Sequence, residues 1–290
     1  MIVTVLIWGG TYVAGRSLDP ALNNVVTSFV RMALAFAVLA VLCAVSGVKL
    51  LPISKRLLIM QVFMGLTGVF MYTVFFHKGI QTVAGGRASV IINTNPLMIA
   101  VVAALFMDEK LTPLKAAGVV LAALGAVWVV SHGHLSEFFS GRITRGDGYM
   151  FIAAVSWAAF SLLGKVAMRY GMQPLASITW SVFFGMLLMF IVALTTGEMG
   201  QVPRYAMNDW LSIGYLGVFS TVGGFVFYYK IIRKVGAMRA GVICCAIPVA
   251  AIVMTALFLG EDGSAPLVAG AAITVAGIFM VNYTPKAKQR

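Results

Sequence analysis

Two tryptophans stand inside apolar runs, and each is followed eight positions on by a base: Trp8 by Arg16, and Trp157 by Lys165. At helical spacing Trp8, Tyr12 and Arg16 share one face, as do Trp157, Ser161 and Lys165. A third stripe runs through Gly65, Gly68, Tyr72 and Phe76 with His77 beside it, and a fourth offers Gly217, Tyr228 and Tyr229. Aromatic faces with a few hydrogen-bonding neighbours stack on and orient a solute; they do not make or break bonds. These residues therefore suggest a binding site, and ring-on-ring bundle packing is the alternative reading of any one of them.

Chemistry that relays protons or splits bonds needs acids, thiols or imidazoles gathered together. The nine acids are Asp19, Asp108, Glu109, Glu137, Asp147, Glu198, Asp209, Glu261 and Asp262, and all fall at the ends of apolar runs or between them. A carboxylate-coupled pump or a cation carrier would need one mid-run. Cys43, Cys244 and Cys245 sit inside apolar runs without metal-ligand spacing and read as small buried hydrophobes. No pattern calls for a metal or a cofactor. His77 is the one histidine inside a run, and a hydrogen-bonded structural role competes with a functional one. Arg31 is suited to a substrate carboxylate, or to snorkelling towards an interface. Asn93 and Asn95 lie about 200° apart on a helix, so they face different ways. Asn93 shares its face with Ser89, Pro96 and Ala100 and is assigned to the cavity; Asn95 is assigned to a hydrogen bond with a neighbouring helix. Pro96 and Pro248 each remove an intrahelical hydrogen bond and are the candidate hinges, a static kink being the alternative.

The elements that must hold these side chains are membrane helices. Hydrophobic residues make up 61% of the 290 positions and charged ones 10%, against about 25% charged in an ordinary globular chain. So apolar a chain has no polar face for water, and lipid is its solvent. The net charge of +12 comes from bases scattered singly between apolar runs, which excludes a nucleic-acid surface and fits basic cytoplasmic loops. No cleavable leader is legible. The first run is short for a span, and the chain is expected to begin a few residues into its first helix. Apolar windows predict ten spans near 1–17, 22–46, 56–79, 84–107, 113–131, 148–168, 175–196, 208–231, 236–260 and 265–283. Thr112-Pro113 reads as an N-cap followed by proline at the first helical position.

The spans repeat. Shifted by 152 positions, Arg87 meets Arg239, Pro96 meets Pro248, Phe106 meets Phe258 and Glu109 meets Glu261; Gly65 meets Gly217, Gly118 meets Gly270, and Gly125 meets Gly277. Shifted by 149, Trp8 meets Trp157 and Arg16 meets Lys165. The chain therefore divides into a first five-helix repeat, 1–131, a connecting loop, 132–147, and a second five-helix repeat with a short basic tail, 148–290. Five is odd, so the second half enters the membrane upside down. The fold class is an all-α polytopic membrane protein, ten transmembrane helices as two inverted-topology repeats, an arrangement typical of secondary transporters. With both termini cytoplasmic, eleven loop and tail bases lie inside and only Arg142, Arg145 and Arg204 outside. The repeated glycines are packing positions where helix backbones approach closely.

IWGGTYVAGRSL at the start, TNPLMIAVVAALFMDEKLT with AGVVLAALGAVWVV after it, and the second copy IPVAAIVMTALFLGEDGSAPLVAGAAITVAGIFMV resemble the drug/metabolite transporter superfamily in its ten-helix EamA branch. The resemblance spans nearly the whole chain. It implies export or exchange of small organic solutes, often amino acids, through a central cavity between inverted halves. Asp108-Glu109-Lys110 departs from the Gly260-Glu261 of the second copy, with a consequence expected only at the loop. The reading is an inner-membrane carrier of small neutral or zwitterionic, partly hydrophobic metabolites, amino acids including aromatic ones fitting best. Its substrate-binding residues are taken as Trp8, Tyr72, Phe76, His77, Asn93, Trp157 and Tyr228. An intramembrane lipid-modifying enzyme is the alternative of another class, and drug, lipid or nucleotide-sugar carriers are alternatives within transporters. Partners are a small-molecule substrate and the lipid bilayer; nothing in the sequence bears on oligomeric state.

Overall fold

A computed structural model describes residues 2–51, 54–80, 82, 91–92, 94–107, 109–130, 144–259 and 265–283. Among these residues the structure is helical and contains no strand. We label the helices α1 (Ile2–Arg16), α2 (Asn24–Val45), α4 (Asn95–Phe106), α5 (Pro113–Val130), α6 (Arg145–Arg169), α7 (Pro174–Thr196) and α10 (Ala265–Asn282). Three more are composite. In α3, Lys55–Met64 passes through a π-helical segment, Gly65–Met71, into Tyr72–Ile80. In α8, Met207–Gly214 passes through the π-helical Tyr215–Gly224 into Phe225–Val235. In α9, Ala237–Ile243 and Ile247–Leu259 are joined by the 3-10 turn Cys244–Ala246. Five helices, α2, α3, α6, α7 and α8, are long and apolar enough to cross a membrane, and the others are shorter apolar helices.

Local sequence explains where several helices start. The Asn23 side chain accepts from the amides of Val25 (3.0 Å) and Val26 (3.3 Å) at the head of α2. Thr144 and Asp147 form a reciprocal capping box at α6. Thr112 accepts from the Lys115 amide at 3.4 Å ahead of Pro113, the cap expected there. The two prolines act at helix starts. Pro96 lies in the first turn of α4, and Pro248 is the second residue after the 3-10 turn of α9. Proline donates no amide hydrogen, and the Cys244 carbonyl it would have served accepts instead from Ile247, one turn tighter.

Helix pairing follows a pattern. α1 packs on α8 and α9, and α6 on α3 and α4; α2 packs on α7 and α8, and α7 on α2 and α3; α5 packs on α10. Exchanging each helix with the one five places along leaves this list unchanged. The π-helical segment Gly65–Met71, moved by 152 positions, falls at 217–223, inside the other π-helical segment. At the α5–α10 crossing, a β-carbon on Gly118 would stand 2.8 Å from the Gly277 carbonyl oxygen, and one on Gly125 2.9 Å from that of Gly270. Only glycine permits that approach, so these are packing positions, as their repetition predicted.

The connections gather by side. At one end, the Asp19 amide donates to Asp209 (3.0 Å), that of Asn23 to Gln201 (3.2 Å), and Asn208 Nδ2 to the Ser17 carbonyl (2.7 Å). At the other, the Arg56 guanidinium lies 4.0 Å over the Tyr170 ring, and a cavity of about 350 Å³ opens between Lys49, Leu57, Tyr170 and Gln173.

Candidate functional site

Trp8 is the seventh of the 15 residues of α1, and Trp157 the thirteenth of the 25 of α6. Both are buried mid-helix, and their rings meet edge to face with centroids 5.5 Å apart. Tyr72 tilts against Trp157 at 5.0 Å and stacks on Phe76 at 5.6 Å. Tyr228 closes the group, 5.4 Å from Trp8 and 5.6 Å from Trp157. Five of the seven predicted substrate residues thus form one continuous aromatic cluster. The two tryptophans are in direct contact. Sequence reading missed Phe160 and Phe225, which join the cluster at 5.6 and 5.8 Å from Trp157. Their signal was faint, since a phenylalanine in an apolar run looks like any other.

Polar atoms at the cluster are few and mostly engaged. Trp8 Nε1 donates to the Ser220 carbonyl at 3.1 Å. The Ser161 hydroxyl donates to the Trp157 carbonyl (2.9 Å) and accepts from the Tyr228 hydroxyl (2.9 Å). His77 lies at the edge, its ring 6.1 Å from Phe76. Its Nδ1 donates to the Thr73 carbonyl at 2.8 Å, which leaves Nε2 as an acceptor. Asn93 lies outside the described residues. Asn95 is buried in the first turn of α4, and its Oδ1 has no hydrogen-bond partner there.

A second polar group lies at the face that holds Arg56 and Tyr170. The Glu109 carboxylate pairs with Lys165 of α6 and accepts from the amides of Ala237 (2.7 Å) and Met238 (3.1 Å), the first turn of α9. Gly236 precedes that turn at φ 94°, ψ 165°, a region open almost only to glycine. A β-carbon there would stand 2.6 Å from the carboxylate. Lys165 also donates to the Met107 carbonyl at 3.3 Å, as Arg169 does at 2.5 Å. Glu109, the residue both copies share, is therefore a tie between α4, α6 and α9. The base eight residues after Trp157 ends in this tie; the Arg16 side chain lies outside the described residues.

The arrangement is a packed set of aromatic rings with a few engaged polar groups. Among the described residues, no group of three or more histidines, cysteines or acids is placed to hold a metal ion. Comparison with known proteins agrees with a carrier. The profile of the EamA-like transporter family matches residues 1–131 and 144–283. An "uncharacterized transporter" of Archaeoglobus fulgidus is 28% identical over 300 residues, covering 97% of this chain and 96% of its own. A "probable terminal-alkyne amino-acid exporter" of Streptantibioticus cattleyicolor is 26% identical over 293 residues, covering 100% of this chain and 94% of its own. A crystal structure with 18% identity superposes with a TM-score of 0.77 over 97% of this chain and 95% of that one, which supports the fold alone.

Proposed function

The chain belongs to the EamA-like transporter family, a family of membrane transporters, and from that premise we propose that it carries small neutral or zwitterionic, partly hydrophobic metabolites by alternating access. Amino acids, aromatic ones included, fit best. The observation that carries this reading is the meeting of Trp8 and Trp157. Repeat-related residues from the two halves touch mid-helix, where a site shared by both halves belongs. Tyr72, Phe76, His77, Asn93 and Tyr228 complete the proposed site. When it opens, the parted rings offer stacking faces to an apolar side chain. A relative named as a probable amino-acid exporter points to the same substrate class.

The architecture we propose is ten spans in two inverted five-helix repeats, 1–131 and 148–290 joined by 132–147, with both termini on the cytoplasmic side of the inner membrane. The exchange pattern of helix contacts and the matched π-helical segments support it. So does the gathering of connections: those at 17–23 and 198–209 meet at one end, and those at 109, 165–173 and 236 lie at the other. On this topology the Glu109 tie closes the cytoplasmic face, and opening that face requires the tie to break, with Pro96 and Pro248 as hinges.

Counterflow in proteoliposomes tests the function, using a panel of amino acids, nucleotide-sugars and lipids, with and without imposed pH and sodium gradients. Exchange of aromatic amino acids is expected. Exchange of nucleotide-sugars or lipids with none of amino acids would overturn the substrate class.

A further inference from the structure

Arg31 extends from α2 to the centre of α8. Its Nε donates to the Thr221 hydroxyl at 3.1 Å and its Nη2 to that of Ser220 at 3.5 Å. Thr221 is the fifteenth of the 29 residues of α8, its central position, roughly 20 Å from either end at about 1.5 Å per residue. The guanidinium is thus held at the depth of the mid-helix and does not snorkel to an interface. It is half-buried, and no carboxylate lies within ion-pair distance of it among the described residues. Tyr72 and His77 lie within its electrostatic reach, and neither carries a carboxylate.

A guanidinium carries five N–H donors in a planar fork that matches a carboxylate. The two hydroxyls occupy one donor each, and both hydroxyls are neutral. Thr221 passes its own proton to the Leu216 carbonyl (2.9 Å), a bond that spans five residues in the π-helical turn. Ser220 takes a further bond from Thr11 at 3.1 Å. The hydroxyls fix where the fork points without neutralising it. A cation at mid-membrane depth with no counter-charge is costly, and in a carrier the missing anion can arrive with the cargo.

Ser220 also ties this cation to the aromatic cluster. Its carbonyl holds the Trp8 indole and its hydroxyl holds Arg31, so one residue anchors both. Tyr72, which stacks on Phe76 and tilts against Trp157, is within electrostatic reach of the guanidinium. We propose that Arg31, positioned by Thr221 and Ser220, docks the carboxylate of the transported solute while the aromatic cluster receives its apolar side chain. The inference rests on the amino-acid reading and adds the group that recognises the acid end.

The test is counterflow with phenylalanine and with phenylalaninamide, which lacks the carboxylate, in wild type, Arg31→Gln, Arg31→Lys and Thr221→Val. Wild type is expected to take phenylalanine with at least tenfold lower KM than the amide. Arg31→Gln should raise KM for phenylalanine at least tenfold and leave the amide within about twofold. Thr221→Val, which keeps the charge and loses its anchor, should give a smaller rise for phenylalanine alone, and it carries the test if Arg31→Gln does not fold. Arg31→Lys should recover only part of the loss, because an ammonium cannot form the fork. Phenylalanine transport unchanged in Arg31→Gln, or acid and amide impaired alike, would overturn the proposal and leave the amino-acid reading standing. A wild type that carries neither compound but does carry an uncharged solute would overturn both.

Discussion

Glu109 should be worth more to the folded protein than its partner Lys165, and the structure gives the reason. The carboxylate is engaged three ways: by Lys165, by the Ala237 amide at 2.7 Å and by that of Met238 at 3.1 Å. Lys165 also holds the Met107 carbonyl at 3.3 Å, so losing the acid does not strand it. Hydrogen bonds to charged groups contribute roughly 1.5–3 kcal/mol each. The pair is partly wet, with side-chain exposures of 12% for Lys165 and 16% for Glu109, which puts it between a buried bridge and a surface one. Glu109→Gln keeps one carbonyl acceptor for the helix start but loses the ion pair and the second acceptor, a cost of about 2–3 kcal/mol. Lys165→Met leaves the carboxylate on both amides and should cost about 1–2 kcal/mol. Because the ion pair is common to both, the double variant should fall short of their sum by about 1 kcal/mol. Equilibrium unfolding of the four proteins in one detergent gives these differences. Lys165→Met costing as much as Glu109→Gln, or additivity within about 0.3 kcal/mol, would refute the claim that the carboxylate serves the ion pair and the α9 start together.

Trp157→Ala removes a buried ring that touches Trp8, Tyr72, Phe160, Phe225 and Tyr228, and should lower stability by about 3–5 kcal/mol, Trp157→Phe by less than half of that. Thermal unfolding and phenylalanine transport measured on the same variant separate packing from binding; a stable Trp157→Ala would show that the ring is not packed as described. Gly164→Ala would place a methyl group inside the fully buried Tyr229 ring and should cost about 1–3 kcal/mol, read by the same melt. On a background without cysteine, a cysteine introduced in the loop 131–147 should label from outside the cell, and Lys288→Cys only after permeabilisation; the reverse pattern refutes the proposed topology. Neutralising any acid, Glu109 included, should leave gradient-driven accumulation intact even where stability falls, as accumulation assays on purified variants would show.

Much of the helical framework was legible because lipid makes long apolar runs unambiguous. The glycines of α5 and α10 were legible for a related reason: only a close backbone crossing gives two copies the same use for a missing side chain. The aromatic cluster was legible where large residues repeat. Trp8 and Trp157 are marked by type, by position and by the bases that follow them, and Tyr72, Phe76 and Tyr228 by their spacing from the glycine stripes. For Asn95 the spacing says little, because whether an amide finds a partner depends on which helix lies opposite, and its Oδ1 meets none. Glu109 was underread for the same reason. Its partners are 56, 128 and 129 residues away, and helix-end acids usually face water.

The π-helical segments show what sequence periodicity hides most thoroughly. A 3.6-residue face assigns Ser220 and Thr221 to neighbouring stripes 100° apart and gives no reason to pair them. Within Tyr215–Gly224 the wider turn lets the Thr221 hydroxyl reach the Leu216 carbonyl, and both hydroxyls then meet the single guanidinium of Arg31. The equivalent segment of α3, Gly65–Met71, ends directly before Tyr72, the ring that meets Trp157. In α3 and α8 alike, then, the departure from α-helical geometry sits next to residues of the aromatic cluster or the Arg31 group. A π-turn costs hydrogen-bond quality and persists where the surroundings need the residues it redirects. Here those residues are Tyr72, whose ring meets Trp157, and the hydroxyls that hold Arg31 at the middle of α8.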